Sequence, residues 1–376
     1  MTQYERPPDF GEGLRLHFNE NTAGCSPRVI EALQRLTALD LAFYPDYAAV
    51  NRDCARFLGV EEERLLLTNG LDEGLLAACI ANLQRDFGAG SGVADAIGDT
   101  PHGKSHEALG SVRFADGRLP GEAIIVEPAF GMYADVVSAT GGVIVTIQPE
   151  PEFAFPLDAT LAAITPRTRL VFLTSPGNPT GLLIPREALR AIARNLPMGA
   201  LLFLDEAYAD FTDEHFLDEL PQWPNIVIGR TFAKSYGLAA VRIGAVIGAS
   251  EVIARLRRSL PPYSINVLAT TVLTAALNDR DHVNWYRQQV ERSRALVYDA
   301  CDRLGLHYWR SHANFVLVRV GDDAPAIVDA LAARKIFVRD RSTQPGCAGC
   351  IRITTGVVEH TEACLAALEE VLCARA

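Results

Sequence analysis

The sequence predicts an α/β protein: a large unit built on a mostly parallel sheet covered by helices, followed by a smaller α+β unit. Three observations predict it. Short apolar runs recur through the middle of the chain, at residues 123–126, 143–147, 170–173, 201–204, 226–228 and 243–247. Each is rich in Val, Ile and Leu and apolar on both faces, as strands buried in a parallel sheet are. Stretches with helical spacing of apolar positions, such as 186–195, lie between them. Beyond residue 250 the pattern changes. Helical stretches at 251–260 and 267–304 precede a strand-like run at 314–320, a helix at 324–334, strands at 336–339 and 351–354, and a last helix at 359–374.

A chain of 376 residues holds two to three domains at roughly 150 residues each. The pattern divides it into an N-terminal arm (1–43), a large unit (44–250) and a small C-terminal unit (251–376). The arm is expected to pack on the small unit or to reach a second subunit. Residues 88–121 interrupt the large unit. They are rich in Gly, Ala, Ser and Asp without sustained periodicity. Loops beyond ~12–15 residues are uncommon in compact domains, so this segment reads as a flexible insertion. Its His102 and Lys104 read as solvated side chains.

Composition narrows the partners. The formal net charge of -11 repels nucleic-acid phosphates, although a local cluster of Arg can still bind a small anion. Eight Cys in a chain this long are too sparse for a disulfide scaffold. Cys347 and Cys350 have C-x-x-C spacing, but a structural zinc needs a second pair, so no metal is expected. The first residues lack the apolar stretch of a signal peptide, and no apolar run approaches the ~20 residues of a membrane helix. The expectation is a cytoplasmic protein that engages neither nucleic acid nor membrane.

The chemistry gathers where the apolar runs end. Residues 170–173 run into Thr174-Ser175-Pro176-Gly177-Asn178-Pro179-Thr180-Gly181, and 201–204 into Asp205-Glu206-Ala207-Tyr208. Residues 226–228 run into Gly229-Arg230-Thr231-Phe232-Ala233-Lys234, and 123–126 into Glu127-Pro128-Ala129-Phe130-Gly131. Open α/β sheets bind ligands outside the carboxyl ends of their strands, so these four exits mark one site. Taken singly, Asp205 could be a helix cap, Asn178 a turn residue and Phe130 a core residue.

Ser-Pro-Gly-Asn-Pro-Thr-Gly, Asp-Glu-Ala-Tyr and Thr-Phe-Ala-Lys-Ser-Tyr-Gly, with Arg242 eight residues past the Lys, together resemble fold-type-I pyridoxal-phosphate (PLP) aminotransferases. The likeness runs in order along nearly the whole chain. It narrows to the histidinol-phosphate aminotransferase family through Tyr44-Pro45-Asp46, Asn69-Gly70-Leu71-Asp72-Glu73, Phe130-Gly131-Met132-Tyr133, Val338-Arg339-Asp340-Arg341 and Arg352-Ile353-Thr354-Thr355-Gly356.

The resemblance implies a role for each matching position. Lys234 would hold the cofactor covalently, which needs an amine able to lose its proton. Lysine starts near ~10.4, and burial near other cations lowers it. Asp205 would pair with the pyridinium nitrogen, Asn178 and Tyr208 would bond the ring oxygen, and Phe130 would stack on the ring. Gly70, Leu71 and Asp72, opening a helix, would meet the cofactor phosphate together with Arg242 and Thr231. Tyr44 would reach that phosphate from a partner subunit, which implies a homodimer. Arg352 would grip the substrate's carboxylate or phosphate, Arg339 would join it on a phosphate, with Arg341 as a nearby competitor, and Asn21 would touch the substrate.

Two positions depart from the family pattern. Ala233 stands where Ser usually precedes the lysine, removing one phosphate hydrogen bond worth roughly 1.5–3 kcal/mol. Asn19-Glu20-Asn21-Thr22-Ala23 replaces the usual Asn-Glu-Asn-Pro-Tyr, whose Tyr touches substrate. The function expected from the resemblance is transfer of an amino group between glutamate/2-oxoglutarate and histidinol phosphate/imidazole-acetol phosphate. Aminotransfer to aromatic or other amino acids, decarboxylation of threonine-phosphate type, and a non-catalytic PLP-binding protein are the alternatives.

Overall fold

A computed structural model describes residues 12–83 and 120–375. Residues 84–119, which hold most of the 88–121 insertion, lie outside the described residues, as do residues 1–11 of the N-terminal arm.

Among the described residues the large sheet has seven strands, in the order β2-β8-β7-β6-β5-β3-β4. They are β2 (Leu65–Thr68), β3 (Glu122–Val126), β4 (Val143–Ile147), β5 (Thr168–Thr174), β6 (Leu201–Asp205), β7 (Ile226–Thr231) and β8 (Gly244–Ile247). Strands β3 to β7 pair in parallel, while β8 runs antiparallel to both β7 and β2. The apolar runs are explained strand by strand. In β5, Val171 and Leu173 enter one core while Leu170 and Phe172 enter the other; in β6, Leu202 and Leu204 oppose Leu201 and Phe203 in the same way. A strand with a period of two and a core on each side has no position left for a polar residue until it emerges.

The cores of this sheet continue past residue 250, the boundary drawn from the sequence. Helix Ser250–Arg257 buries Ile253 and Leu256 in one core, and helix Val267–Leu277 buries Ala269, Val272 and Leu273 in the other. Apolar periodicity says that a helix has a buried face but not which sheet it meets.

A second, four-stranded antiparallel sheet has the order β12-β13-β10-β9, formed by β9 (His307–Tyr308), β10 (Phe315–Arg319), β12 (Arg339–Asp340) and β13 (Cys350–Thr354). Val316, Val318, Ile351 and Ile353 pack there against Val297 of the long helix Arg280–Leu304 and Leu368 of the last helix. The N-terminal segment belongs to this layer: β1 (Leu14–Arg15) pairs in parallel with β11 (Ile336–Phe337), and Leu16 is fully buried in the same core. Further on, helix Pro27–Gln34 puts Val29 into the large-sheet core. A small cluster of Tyr208, Phe211, Tyr286, Val290 and Phe315 joins the two sheets.

Cys347 and Cys350 are buried against Trp309 and Leu317. Burial pushes the Cys347 thiol up to about 12, so it packs as a neutral group. Among the described residues no group of side chains could hold a metal ion, and no helix is long and apolar enough to cross a membrane.

Candidate active site

The carboxyl ends of β5, β6 and β7 and the turn after β3 face β12 and β13 across a cavity of about 760 Å³. The apolar runs stop there because the sheet's edge meets open space, and polar residues can begin.

One part of the wall is built to meet an anion. Helix Gly70–Leu83 begins directly after β2 with Gly70 at φ +71°. A Cβ at Gly70 would come within 2.3 Å of Arg242 Nη2, so only Gly lets the guanidinium lie over the helix start. Arg242 itself adopts φ +58° and donates to Asp72 Oδ2 at 2.9 Å. The helix start offers backbone N–H groups and the positive end of its dipole, and Arg242 adds a fixed charge. The Thr231 hydroxyl accepts from Ala233 N at 3.2 Å.

Next to it stands Asp205 at the end of β6. Its Oδ2 accepts from Tyr133 Oη at 2.6 Å and its Oδ1 from Ala207 N at 2.9 Å. Tyr133 also bonds Thr174 Oγ1 at 2.7 Å and stacks on Phe172 with ring centroids 5.1 Å apart. Burial pushes Asp205 up to about 6, against the pull of these two donors. Phe130 meets Tyr133 edge to face at 5.8 Å and is half-buried on the cavity wall.

Lys234 Nζ donates to the Phe18 carbonyl at 3.0 Å and lies 5.9 Å from the Tyr208 ring centroid. Burial, helped by the charges of Arg352 and Arg242, lowers it to about 8. The loop that carries it is tied down on both sides. Asn21 Nδ2 donates to Ser235 O at 2.9 Å, and the Ser235 hydroxyl donates to Asp210.

The wall from the small sheet is cationic. Arg339 of β12 and Arg352 of β13 are directly paired, and Arg341 follows on the same wall. Arg352 is buried; it donates to Asn178 Oδ1 and to His17 O (2.6 Å), with its guanidinium 5.2 Å from the Phe315 centroid. Burial, then the charge of Arg339, lowers Arg341 to about 10. His17 contributes a buried imidazole that burial, with Arg15, Arg339 and Arg352, lowers to about 4, so the ring stays neutral in this cationic wall.

The cavity thus collects Leu71, Asp72, Phe130, Asn178, Asp205, Tyr208, Thr231, Lys234, Arg242, Arg339 and Arg352. Two expected residues stand elsewhere. Asn21 spends its amide on Ser235 O and Ala23 N and does not line the cavity. Tyr44 is 77% exposed and stacked on Tyr263 at 4.3 Å. Thr22 sits against Gly356 and accepts from Val357 N at 3.0 Å, so it too is a packing residue. Among the wall residues that received no role from the sequence are His17, Asn19 and Tyr133. Tyr133 left a signal, standing three positions after Phe130 in the same family motif at a helix start.

The family model for aminotransferase class I and II matches residues 106–368 of the chain. The histidinol-phosphate aminotransferase of Moorella thermoacetica is 33% identical over 96% of this chain and 85% of its own length. Histidinol-phosphate aminotransferase 2 of Ralstonia nicotianae is 38% identical over 67% of this chain and 69% of its own. Among solved structures, histidinol-phosphate aminotransferase from Sinorhizobium meliloti in complex with pyridoxal-5'-phosphate is similar at a TM-score of 0.80 and 26% identity, covering 97% of this chain and 92% of that one.

Proposed function

The chain belongs to the class I and II aminotransferases, and from that premise we propose that it moves an amino group between glutamate/2-oxoglutarate and histidinol phosphate/imidazole-acetol phosphate with PLP as cofactor. The observation that carries the substrate is the second cationic wall. Arg242 and the helix start serve one phosphate. The neighbouring Arg339 and Arg352, with Arg341 beside them, offer guanidiniums for another anion in the same cavity.

The residues fit the cofactor. A Cβ at Gly70 would collide with the Arg242 guanidinium, so the glycine lets that cation stand at the helix start beside the cofactor phosphate's expected place. An enclosed amine, a buried carboxylate and a half-buried aromatic ring complete the donor set. When bound, PLP supplies an electron sink for the substrate's Cα. The chain's own groups do the rest. Lys234 would hold the cofactor, and its Nζ would carry the proton taken from the substrate. Asp205, ionised at neutral pH, would hold the proton on the pyridine nitrogen. Tyr208 and Asn178 would bond the ring oxygen, and Phe130 would stack on the ring. Arg352 grips the carboxylate of glutamate and, with Arg339, the phosphate of histidinol phosphate.

The assembly is a homodimer. Leu39, Leu41, Phe43 and Tyr44 are all at least 65% exposed, beside Tyr263 at 54%, a grouping of apolar surface that a second copy would cover. Tyr44 then reaches the partner's cofactor phosphate. All eight cysteines are free thiols, in keeping with the reducing cytoplasm.

Two experiments test this reading. PLP attachment to the cofactor-free protein should quicken about tenfold per pH unit up to the Lys234 value of about 8, then level off. Stopped-flow absorbance from pH 6 to 9 follows it; a flat profile would mean that Lys234 does not titrate there. Substitution separates the arginines. Arg352→Ala should slow every substrate by roughly 10²-fold, the equivalent of a ~3 kcal/mol charged hydrogen bond, while Arg339→Ala should slow chiefly phosphorylated ones. Equal damage by Arg339→Ala to histidinol phosphate and to histidinol would remove the main support for the phosphate site.

A further inference from the structure

Asn19 has no assigned role, yet it lines the site and bonds to Tyr208 and Thr354. It is 1% exposed, lines the cavity wall and adopts φ +56°. That left-handed turn rotates the peptide before it, and the Phe18 carbonyl so placed accepts from Lys234 Nζ at 3.0 Å. Asn is among the few residues that adopt this conformation at low cost.

Its amide reaches a second group. Asn19 N–H donates to Thr354 Oγ1 at 3.1 Å, the Thr354 hydroxyl donates to Asn19 Oδ1 at 3.2 Å, and Asn19 Nδ2 donates to Tyr208 Oη at 2.9 Å. These bonds fix which way the amide faces. With the Thr354 oxygen already accepting, its proton needs an acceptor, and Thr354 is fully buried. Oδ1 therefore turns to Thr354 and Nδ2 to Tyr208. A tyrosine oxygen that accepts from Nδ2 keeps its own proton for a different acceptor. Asn314 Nδ2, donating to Asn19 O at 3.1 Å, locks the turn from the β10 side.

We infer that Asn19 is a positioning residue for the transamination: it holds the Tyr208 hydroxyl as a proton donor towards the cofactor's ring oxygen and sets the carbonyl on which the Lys234 amine rests. The inference rests on the proposed PLP chemistry. One buried amide thereby couples the N-terminal segment, the β6 exit and the Lys234 loop. Donation from Tyr208 favours the bound cofactor with a bare ring oxygen, which lowers the pH at which the cofactor–lysine chromophore loses its proton.

Asn19→Asp tests the proton's direction. Aspartate keeps the shape and tolerates the turn, but it offers Tyr208 an acceptor in place of a donor. With the holoenzyme, the titration midpoint of the cofactor absorbance should rise by about one pH unit, and kcat should fall with KM little changed. A buried charge could raise the midpoint by itself, so the same substitution is made in a Tyr208→Phe background, where the rise should vanish. Thr354→Val leaves Asn19 in place but frees its amide, and should move the midpoint the same way by less. An equal rise with and without the Tyr208 hydroxyl would overturn the inference. So would an unmoved midpoint in both Asn19→Asp and Thr354→Val. If Asn19→Asp does not fold, Thr354→Val alone decides. A wild-type protein that takes up no PLP would instead overturn the proposed function, and this inference with it.

Discussion

Lys234→Ala is expected to bind PLP non-covalently and to lose turnover by roughly 10⁴-fold or more, since it removes both the covalent anchor and the proton carrier. The amine rests on the Phe18 carbonyl at the end of the β7 loop, lowered to about 8 by burial. In the wild type, borohydride reduction of the loaded enzyme followed by peptide mapping should put the label on Lys234. A label on Lys335, or an active Ala variant, would remove Lys234 from the mechanism.

Asp205→Asn should fold, bind PLP and turn over roughly 10²–10³-fold more slowly. An amide cannot stabilise the positive charge on the pyridine nitrogen that the electron sink requires. A control comes from the carboxyl itself. Its folded-state pKa is raised to about 6, so the protonated form is the one that favours folding. That contribution is present at low pH and is lost as pH rises through about 6. The variant lacks it. Measured by thermal melting without cofactor, the variant's stability relative to wild type should therefore improve across that window. Near-normal turnover would leave Asp205 as no more than the acceptor of the Ala207 and Tyr133 bonds.

Strands and strand exits are what the sequence shows most directly. Leu201 to Leu204 can only be a buried strand, because each successive side chain enters an opposite core, and Asp205 follows because the strand ends at open space. Lys234 and Asn178 are placed by the same logic, whereas Arg242, which precedes β8, is found only through the family resemblance. What the sequence does not show depends on contacts between distant segments. Asn19 reaches Tyr208 and Thr354 only because β1 pairs with β11, more than 300 positions away. Asn21 resembles Asn19 in type and spacing, but the left-handed turn at Asn19 sends the two amides to different partners. Tyr44, expected at the cofactor phosphate, lies outside the cavity in the single chain and is exposed. The helices at 250–257 and 267–277 have clear apolar faces, but the sheet that covers those faces is a tertiary choice.

The proposed enzyme is an aminotransferase whose second anion site selects a phosphorylated substrate. The most direct measurement mixes the PLP-loaded enzyme with single amino donors and follows conversion of the cofactor to its amine form. Histidinol phosphate should convert it fastest, histidinol about 10²-fold more slowly for want of the phosphate, and 2-oxoglutarate should then restore the aldehyde form. Conversion by histidinol or phenylalanine as fast as by histidinol phosphate would contradict the role given to Arg339 and Arg352 and the substrate proposed from it.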